Sequence, residues 1–349
     1  MMKIASRNIS KNDKAFIIGE IGLSHNGSLK KALDMIDKIS SAGADAVKFQ
    51  MHIAEYESSK YEKFRKGFKF KNKSRFDYWK KTSFDFNEWK YLRDYTKKKK
   101  LSFLCSPFSV EAVKRLKSIS VDAWKIPSGE FNNLFMINEI IRNCSRPIIL
   151  STGLTYLQEM TDIIKYIKNK NKNVALLQCT SMYPTPLEKV GHNLISEFSK
   201  KYKILTGVSD HSGNINSSLA SISLGAKIIE IHTCFKKTDI GPDVKSSITF
   251  EELKAITSYN NDCYKIKISK VSKNKLSKNQ IYLRRIFTKS LALDKTLIKD
   301  SKIKYKDLID LKPFRGISIF DYKKVIGKKI NKTLQKGTFL QKKDIEYKL

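Results

Sequence analysis

Eight short apolar runs, each ending in a polar cluster and each followed by an amphipathic stretch, constrain the fold of this chain most tightly. The runs are Phe16–Glu20, Asp45–Phe49, Leu101–Cys105, Val121–Ile126, Pro147–Leu150, Val174–Cys179, Lys203–Val208 and Lys227–His232. The first stretch between them, Ser28–Gly43, opens on a capping serine, repeats apolar residues three and four apart, and stops at a glycine. Similar helix patterns cover Asn87–Lys99, Val110–Ser118, Phe135–Asn143, Tyr156–Asn169, Asn193–Lys201, Ile215–Leu224 and Phe250–Ile268. Strands separated by helices pair in parallel, and eight such units predict a closed α/β structure, the (β/α)₈ or TIM barrel. In that architecture all C-terminal strand ends share one mouth, so the scattered polar clusters become one site.

A barrel takes about 250 residues, and the chain has 349. The reading places the barrel at 1–268, a polar linker at 269–283 and a small β-rich domain at 284–349. That last domain carries short apolar segments such as Ser290-Leu-Ala-Leu, Leu308–Leu311 and Thr338-Phe-Leu. A domain so small leans on the barrel or on a second subunit. One long insertion, 52–86, interrupts the barrel rhythm. Loops of this length in compact enzymes are commonly functional, and this one holds Tyr56, Tyr61, Phe64, Phe68, Phe70, Phe76, Tyr78 and Trp79. Such aromatic content predicts an ordered cover over the barrel mouth.

The net charge of +34 invites a nucleic-acid reading. The lysines are spread along the chain and over the outer faces of the predicted helices, and no recognition-helix, zinc-finger or single-strand-binding pattern occurs. The expectation is no nucleic acid, and a positive field that draws in an anionic substrate. No stretch approaches the roughly 20 apolar residues of a membrane span. The N-terminus lacks the apolar core and cleavage site of a secretory signal. Five cysteines without a Cys-x-x-Cys pair fit reduced thiols in a cytoplasmic protein.

His211 and His232 end the seventh and eighth strands, which are neighbours in a closed barrel. Two neutral imidazoles facing one space can share a divalent metal. Each has an acidic neighbour, Asp210 and Glu230. Alone, either histidine would more simply be a hydrogen-bonding group of the mouth. Lys48 and Lys125 end the second and fourth strands, where burial is costly without an anion. With Ser106, Ser128, Ser151 and Ser209 they can cradle a phosphate or carboxylate. No Walker glycine loop is present, so a small phosphorylated metabolite fits better than ATP. Glu20 and Glu130 are candidate proton-transfer groups, or else structural acceptors for loop amides. Asp243, in the Gly241-Pro242-Asp243 turn, adds a third carboxylate.

Taken in order, seven motifs resemble the sialic acid synthase family: Glu-Ile-Gly-x-x-His-Asn-Gly (20–27), Val-Lys-Phe-Gln (47–50), Trp-Lys-Ile-Pro-Ser-Gly-Glu (124–130), Leu-Ser-Thr-Gly (150–153), Cys-Thr-Ser-Met-Tyr-Pro-Thr-Pro (179–186), Ser-Asp-His-Ser (209–212) and Gly-Pro-Asp (241–243). The tail is similar to the family's antifreeze-protein-like (SAF) domain. The resemblance implies condensation of phosphoenolpyruvate with an open-chain N-acetylated hexosamine to a nine-carbon 2-keto acid and phosphate. N-acetylmannosamine, giving N-acetylneuraminate, is the first expected acceptor; the diacetylated 6-deoxy sugars leading to legionaminic or pseudaminic acid are the alternative. It further implies Mn²⁺ or Mg²⁺ on His211 and His232, and phosphoenolpyruvate on Lys48, Ser106, Lys125, Ser128, Ser151 and Ser209. Glu20, Tyr183 and Asp243 fall where the family holds the sugar, and Glu130 where it handles a proton. Ser181 replaces an asparagine that touches phosphate in some members. Lys312 or Arg315 stands in for an arginine that reaches into a neighbouring subunit, which implies a domain-swapped homodimer. The reading from another class is a basic nucleic-acid- or polysaccharide-binding protein on a non-catalytic barrel.

Overall fold

The computed structural model of the protein describes residues 1–59, 61–64, 74–142, 145–170 and 173–346. A hairpin of β1 (Met2–Ile4) and β2 (Arg7–Ile9) precedes eight strands: β3 (Phe16–Gly22), β4 (Ala46–Met51), β5 (Ser102–Pro107), β6 (Ala123–Ile126), β7 (Ile148–Ser151), β8 (Val174–Cys179), β9 (Leu205–Asp210) and β10 (Ile228–Cys234). Each pairs in parallel with the next, and β10 pairs with both β9 and β3, so the sheet closes. The predicted barrel is present, each strand lying within two residues of its expected limits. A two-residue strand, β11 (Ile248–Thr249), pairs in parallel with the end of β10. The outer layer is α1 (Leu29–Ser41), α4 (Phe86–Lys98), α5 (Val110–Ile119), α6 (Leu134–Ile141), α7 (Leu157–Lys170), α8 (Asn193–Tyr202), α9 (Ile215–Ser223) and α10 (Phe250–Ile268), with α2 (Ala54–Glu57) and α3 (Arg75–Thr82) inside the insertion.

The strands are buried on both faces, as parallel strands covered by helices must be. Inside the barrel the apolar residues sit at alternate positions: Phe16 and Ile18, Ala46, Leu104, Ala123, Ile149, Ala175 and Leu177, Leu205, and Ile228. Side chains two apart share a face. Two residues further on, or four in the case of Leu205, that interior row turns polar: Glu20, Lys48, Ser106, Lys125, Ser151, Cys179, Ser209 and Glu230. The apolar plug thus becomes a reactive floor within one strand step. Met2, Ile4 and Ile9 of the hairpin join the apolar layer from below. Nothing periodic announces three-residue strands, and the sequence reading does not contain them. Closure is reinforced by the Asn260 side chain, which accepts from Ala15 N at 3.1 Å and donates to Ala15 O at 2.9 Å.

The seam between β9 and β10 requires a glycine. A Cβ on Gly207 would lie 1.9 Å from the carbonyl oxygen of Ile228, inside a hydrogen-bonded sheet that cannot give way. Gly207→Ala is expected to destabilise the barrel by about 3 kcal/mol, the upper end of overpacking costs. Thermal melting tests this, and a variant melting with the wild type would show that the seam is slack.

The chain forms two compact units, Met1–Ile268 and Ser269–Leu349. The second has a core of Leu291, Leu293, Ile303, Val325, Ile330 and Leu340 among others. Its regular strands are few: β12 (Ser290–Leu293) pairs antiparallel with β13 (Leu308–Leu311), and single bridges supply the remaining pairing. It also holds α11 (Lys278–Phe287) and α12 (Tyr322–Val325). The start of α11 falls in a segment expected to be a linker through residue 283. A capping box explains it: Ser277 accepts from Gln280 N while the Gln280 side chain accepts from Ser277 N. Among the described residues no helix is long and apolar enough to cross a membrane.

Candidate active site

Above the reactive floor lies a cavity of about 410 Å³ at the C-terminal ends of the strands. Lys48, Lys125, Ser128, Ser151, Ser181, Tyr183, Ser209, His211, His232 and Asp243 line it, together with Gln50, His52 and Cys179, to which sequence reasoning gave no role, and Glu230, noted there only as a neighbour of His232. The insertion contributes Phe64, Arg75, Tyr78 and Trp79 to the wall, with Arg75 stacked 4.8 Å above the Trp79 ring. Phe68 and Phe70, also expected in the cover, lie outside the described residues.

The floor is a buried charge cluster. Lys48 Nζ lies 2.7 Å from Glu20 Oε2 and 3.7 Å from Glu230 Oε1, and donates to Ser106 Oγ at 3.2 Å. Glu230 Oε1 is also 3.4 Å from Lys125 Nζ and accepts from Ser209 Oγ at 3.0 Å. Both lysines and both glutamates have side chains at most 3% exposed. Burial pulls the Lys125 ammonium below its ordinary value. Burial would do the same to Lys48, but Glu20 and Glu230 outweigh it and raise that group. Burial also works to raise Glu230, yet Lys125 and Lys48 together hold it low. Glu20 has the opposite fate: desolvation, with Glu230 nearby, raises it against the pull of Lys48. Of the two carboxyls, Glu20 is the one that takes up a proton first.

Lys48 has three N–H donors. Glu20 and Ser106 hold two at short range, and the third, directed toward Glu230, is the loosest. That arrangement presents an ammonium to an anion in the cavity at little cost in reorganisation. Ser151 Oγ, buried, has no hydrogen-bond partner among the described residues. Ser128 and Ser181 hydroxyls bond each other at 2.9 Å.

The two carboxylates expected to handle protons are both set back from the wall. Glu20 is fully buried behind Lys48 and accepts from Gln50 Nε2 at 2.9 Å. Glu130 accepts from Asn133 Nδ2 at 2.7 Å beyond β6, and burial raises its carboxyl. The carboxylates on the cavity itself are Glu230 and Asp243. Alternation along β10 could have found Glu230, because it shares a face with His232 two residues on. Asp210, the other acidic neighbour, serves structure: its carboxylate accepts from Ser212 N and Ser218 Oγ. Lys312 and Arg315 belong to the second unit, where both are exposed and the Arg315 backbone is anchored to Ser290 Oγ at 2.9 Å.

The His211 and His232 rings lie with centroids 5.3 Å apart. His211 Nδ1 is 3.3 Å from Thr180 O, a contact that makes Nδ1 the protonated nitrogen and leaves Nε2 with its lone pair. Burial, with His232 beside it, lowers His211 to about 4, so the ring is neutral at pH 7. Among the described residues no third His, Cys, Asp or Glu completes a cluster, so two imidazoles are the ligands the chain offers a cation here.

Fold and site together define a (β/α)₈ barrel whose mouth sets two buried lysines beside a pair of histidines. The match to known proteins is more specific. Residues 35–271 fit the model of the NeuB family, and the chain belongs to that family of sialic acid-type synthases. It is 32% identical to the N,N'-diacetyllegionaminic acid synthase of Campylobacter jejuni over 94% of this chain and 99% of that one. It is 28% identical to the pseudaminic acid synthase of the same organism over 97% and 99%. Among solved structures, the N-acetylneuraminic acid synthetase of Leptospira borgpetersenii, crystallised with citrate, matches with a TM-score of 0.70 at 29% identity, over 81% of this chain and 95% of that one. The protein is thus an enzyme of sialic acid-type sugar biosynthesis, and the non-catalytic binding protein weighed as an alternative is set aside.

Proposed function

We propose that the protein condenses phosphoenolpyruvate with the open-chain form of an acylated amino sugar in the cytoplasm. C3 of phosphoenolpyruvate attacks the aldehyde carbon, water adds at C2, and the C2–O bond to phosphate breaks. One water proton ends on the new hydroxyl and the other on the released phosphate, leaving a nine-carbon 2-keto acid. Lys48 and Lys125, with Ser128, Ser151, Ser181 and Ser209, hold the phosphate and carboxylate. Ser106 and Glu20 hold Lys48 from behind. Tyr183 and Asp243 meet the sugar, and Glu230 is the second carboxylate on the cavity wall. Bound by His211 and His232, a divalent ion supplies polarisation of the aldehyde. We assign the tail as an SAF domain whose Lys312 or Arg315 completes the partner's site in a homodimer.

The observation that carries this reading is the pair of buried lysines facing a cavity whose wall also bears the two histidines. For the acceptor, near full-length similarity to legionaminic and pseudaminic acid synthases favours a diacetylated 6-deoxy hexosamine over N-acetylmannosamine, the first expectation. An apolar wall of Phe64, Tyr78, Trp79, Phe108 and Leu154 suits a methyl group better than a hydroxymethyl. Phosphate release from phosphoenolpyruvate, assayed with manganese against a panel of these sugars, tests it. The diacetylated 6-deoxy sugars should give the highest kcat/KM. Preference for N-acetylmannosamine would reverse the acceptor assignment, and no turnover with any sugar would end the synthase reading.

A further inference from the structure

One hydrogen-bonded chain runs from the insertion to the cationic floor through a residue outside the motifs that mark the site. Glu57, at the end of α2, places Oε1 2.6 Å from His52 Nδ1, and its other oxygen accepts from Ile53 N at 3.2 Å. His52 Nε2 is 3.2 Å from Gln50 Oε1. The other end of that amide, Nε2, donates to Glu20 Oε1, and Glu20 Oε2 holds Lys48 Nζ. The histidine is gripped from both faces. Its ring stacks on Trp79 with centroids 3.9 Å apart and planes 1° from parallel, and on Phe108 at 4.0 Å. Its carbonyl accepts from Ser83 Oγ, which follows α3, at 3.0 Å, so the two ends of the insertion meet at this residue.

We propose that His52 is a positioning residue: it locks the Gln50 amide, and through Glu20 the Lys48 ammonium, to the placement of the insertion. The terminal amide of glutamine can rotate between two orientations of similar shape. Among the described residues, only the contact with His52 distinguishes the two ends of this amide on the side away from Glu20. If the amide turns, an oxygen faces the Glu20 carboxylate and the support behind Lys48 is lost. Trp79 and Phe108 fix the ring plane, while Glu57 fixes which ring edge meets Gln50; both partners of the ring are oxygens, so Nδ1 and Nε2 both donate in this arrangement. Occupancy of the cavity beside Trp79 is thereby felt at the phosphate-binding end of the site. The kinetic consequence rests on the synthase reading above.

Two amide substitutions separate the contacts, because a glutamine amide reaches the place of Nε2 and an asparagine amide that of Nδ1. His52→Ala should raise the KM for phosphoenolpyruvate about 10- to 100-fold, with a smaller change in the KM for the sugar. His52→Gln, which keeps a donor toward Gln50, should recover most of that loss. His52→Asn, which keeps only the Glu57 contact, should resemble alanine. A purely structural role would make the glutamine and asparagine variants alike and track their melting temperatures. Equal constants for those two variants, or a KM for phosphoenolpyruvate within twofold of wild type in His52→Ala, overturns the proposal. Calorimetric titration with phosphoenolpyruvate alone should give the same order of affinities. A wild-type protein that binds phosphoenolpyruvate in that order but turns over no sugar would refute the synthase reading and leave the coupling standing. A wild type that does neither refutes both.

Discussion

Replacing His211 or His232 by alanine is expected to abolish phosphate release while leaving the fold in place. The two rings face each other at 5.3 Å, and Thr180 O holds the His211 proton on Nδ1. With His211 lowered to about 4, a lone pair is available throughout the neutral range, which is what a cation requires and a proton shuttle does not. On the proposed reading each ring supplies one ligand to one ion, so the two variants should be nearly equivalent. We expect losses of at least about 1,000-fold, corresponding to about 4 kcal/mol of transition-state stabilisation. The rings border an open cavity, so truncation leaves no sealed void and melting temperatures should change little. EDTA should silence the wild type and manganese restore it, whereas manganese should restore neither variant. Undiminished turnover in EDTA, or substantial activity in either variant, would count against a metal on this pair.

Glu230→Gln should have the largest effect on stability. Among the described residues, Glu230 is the carboxylate within ion-pair distance of both Lys48 and Lys125, and for Lys125 it is the sole one. Removing this member of the buried charge cluster strands Lys125, at a cost of about 3–5 kcal/mol. The charge rather than the shape is at stake, since glutamine is nearly isosteric. The double variant Glu230→Gln, Lys125→Met removes the stranded cation and should regain most of the lost stability without regaining turnover. That pair of outcomes separates the structural role of the cluster from its chemical one. If the single variant melts with the wild type, Glu20 suffices as counter-ion for both lysines, and Glu230 is retained for chemistry alone.

The barrel was legible because its strands, buried on both faces, read as short continuous apolar runs, while its helices, buried on one face, repeat every three to four residues between them. The mouth residues followed from strand ends, and most were placed on one cavity. Depth was not legible. Glu20 and Glu130 both follow apolar runs, yet one lies behind Lys48 and the other beyond β6, because a strand end says nothing about how far a side chain projects. Glu230 was noticed only as a neighbour of His232, although the alternation from Ile228 points it inward. His52 was hidden for a different reason: its partners Glu57, Trp79 and Phe108 come from segments that are not adjacent in any periodic pattern. The start of α11 was masked by lysine-rich composition, although its Ser277–Gln280 box was there to be read.

The closure of the sheet has a consequence for biosynthesis. β3 must wait for β10, and Ala15 for Asn260, a partner 245 positions further on. Until almost the whole barrel has emerged from the ribosome, β3 therefore lacks the native partner of one edge. Such an edge is a template for pairing with other chains, and contacts of this sequence separation form late. Truncated or stalled products should consequently be insoluble rather than partly active, and yield of the intact protein should depend on chaperone supply more steeply than its final stability would suggest.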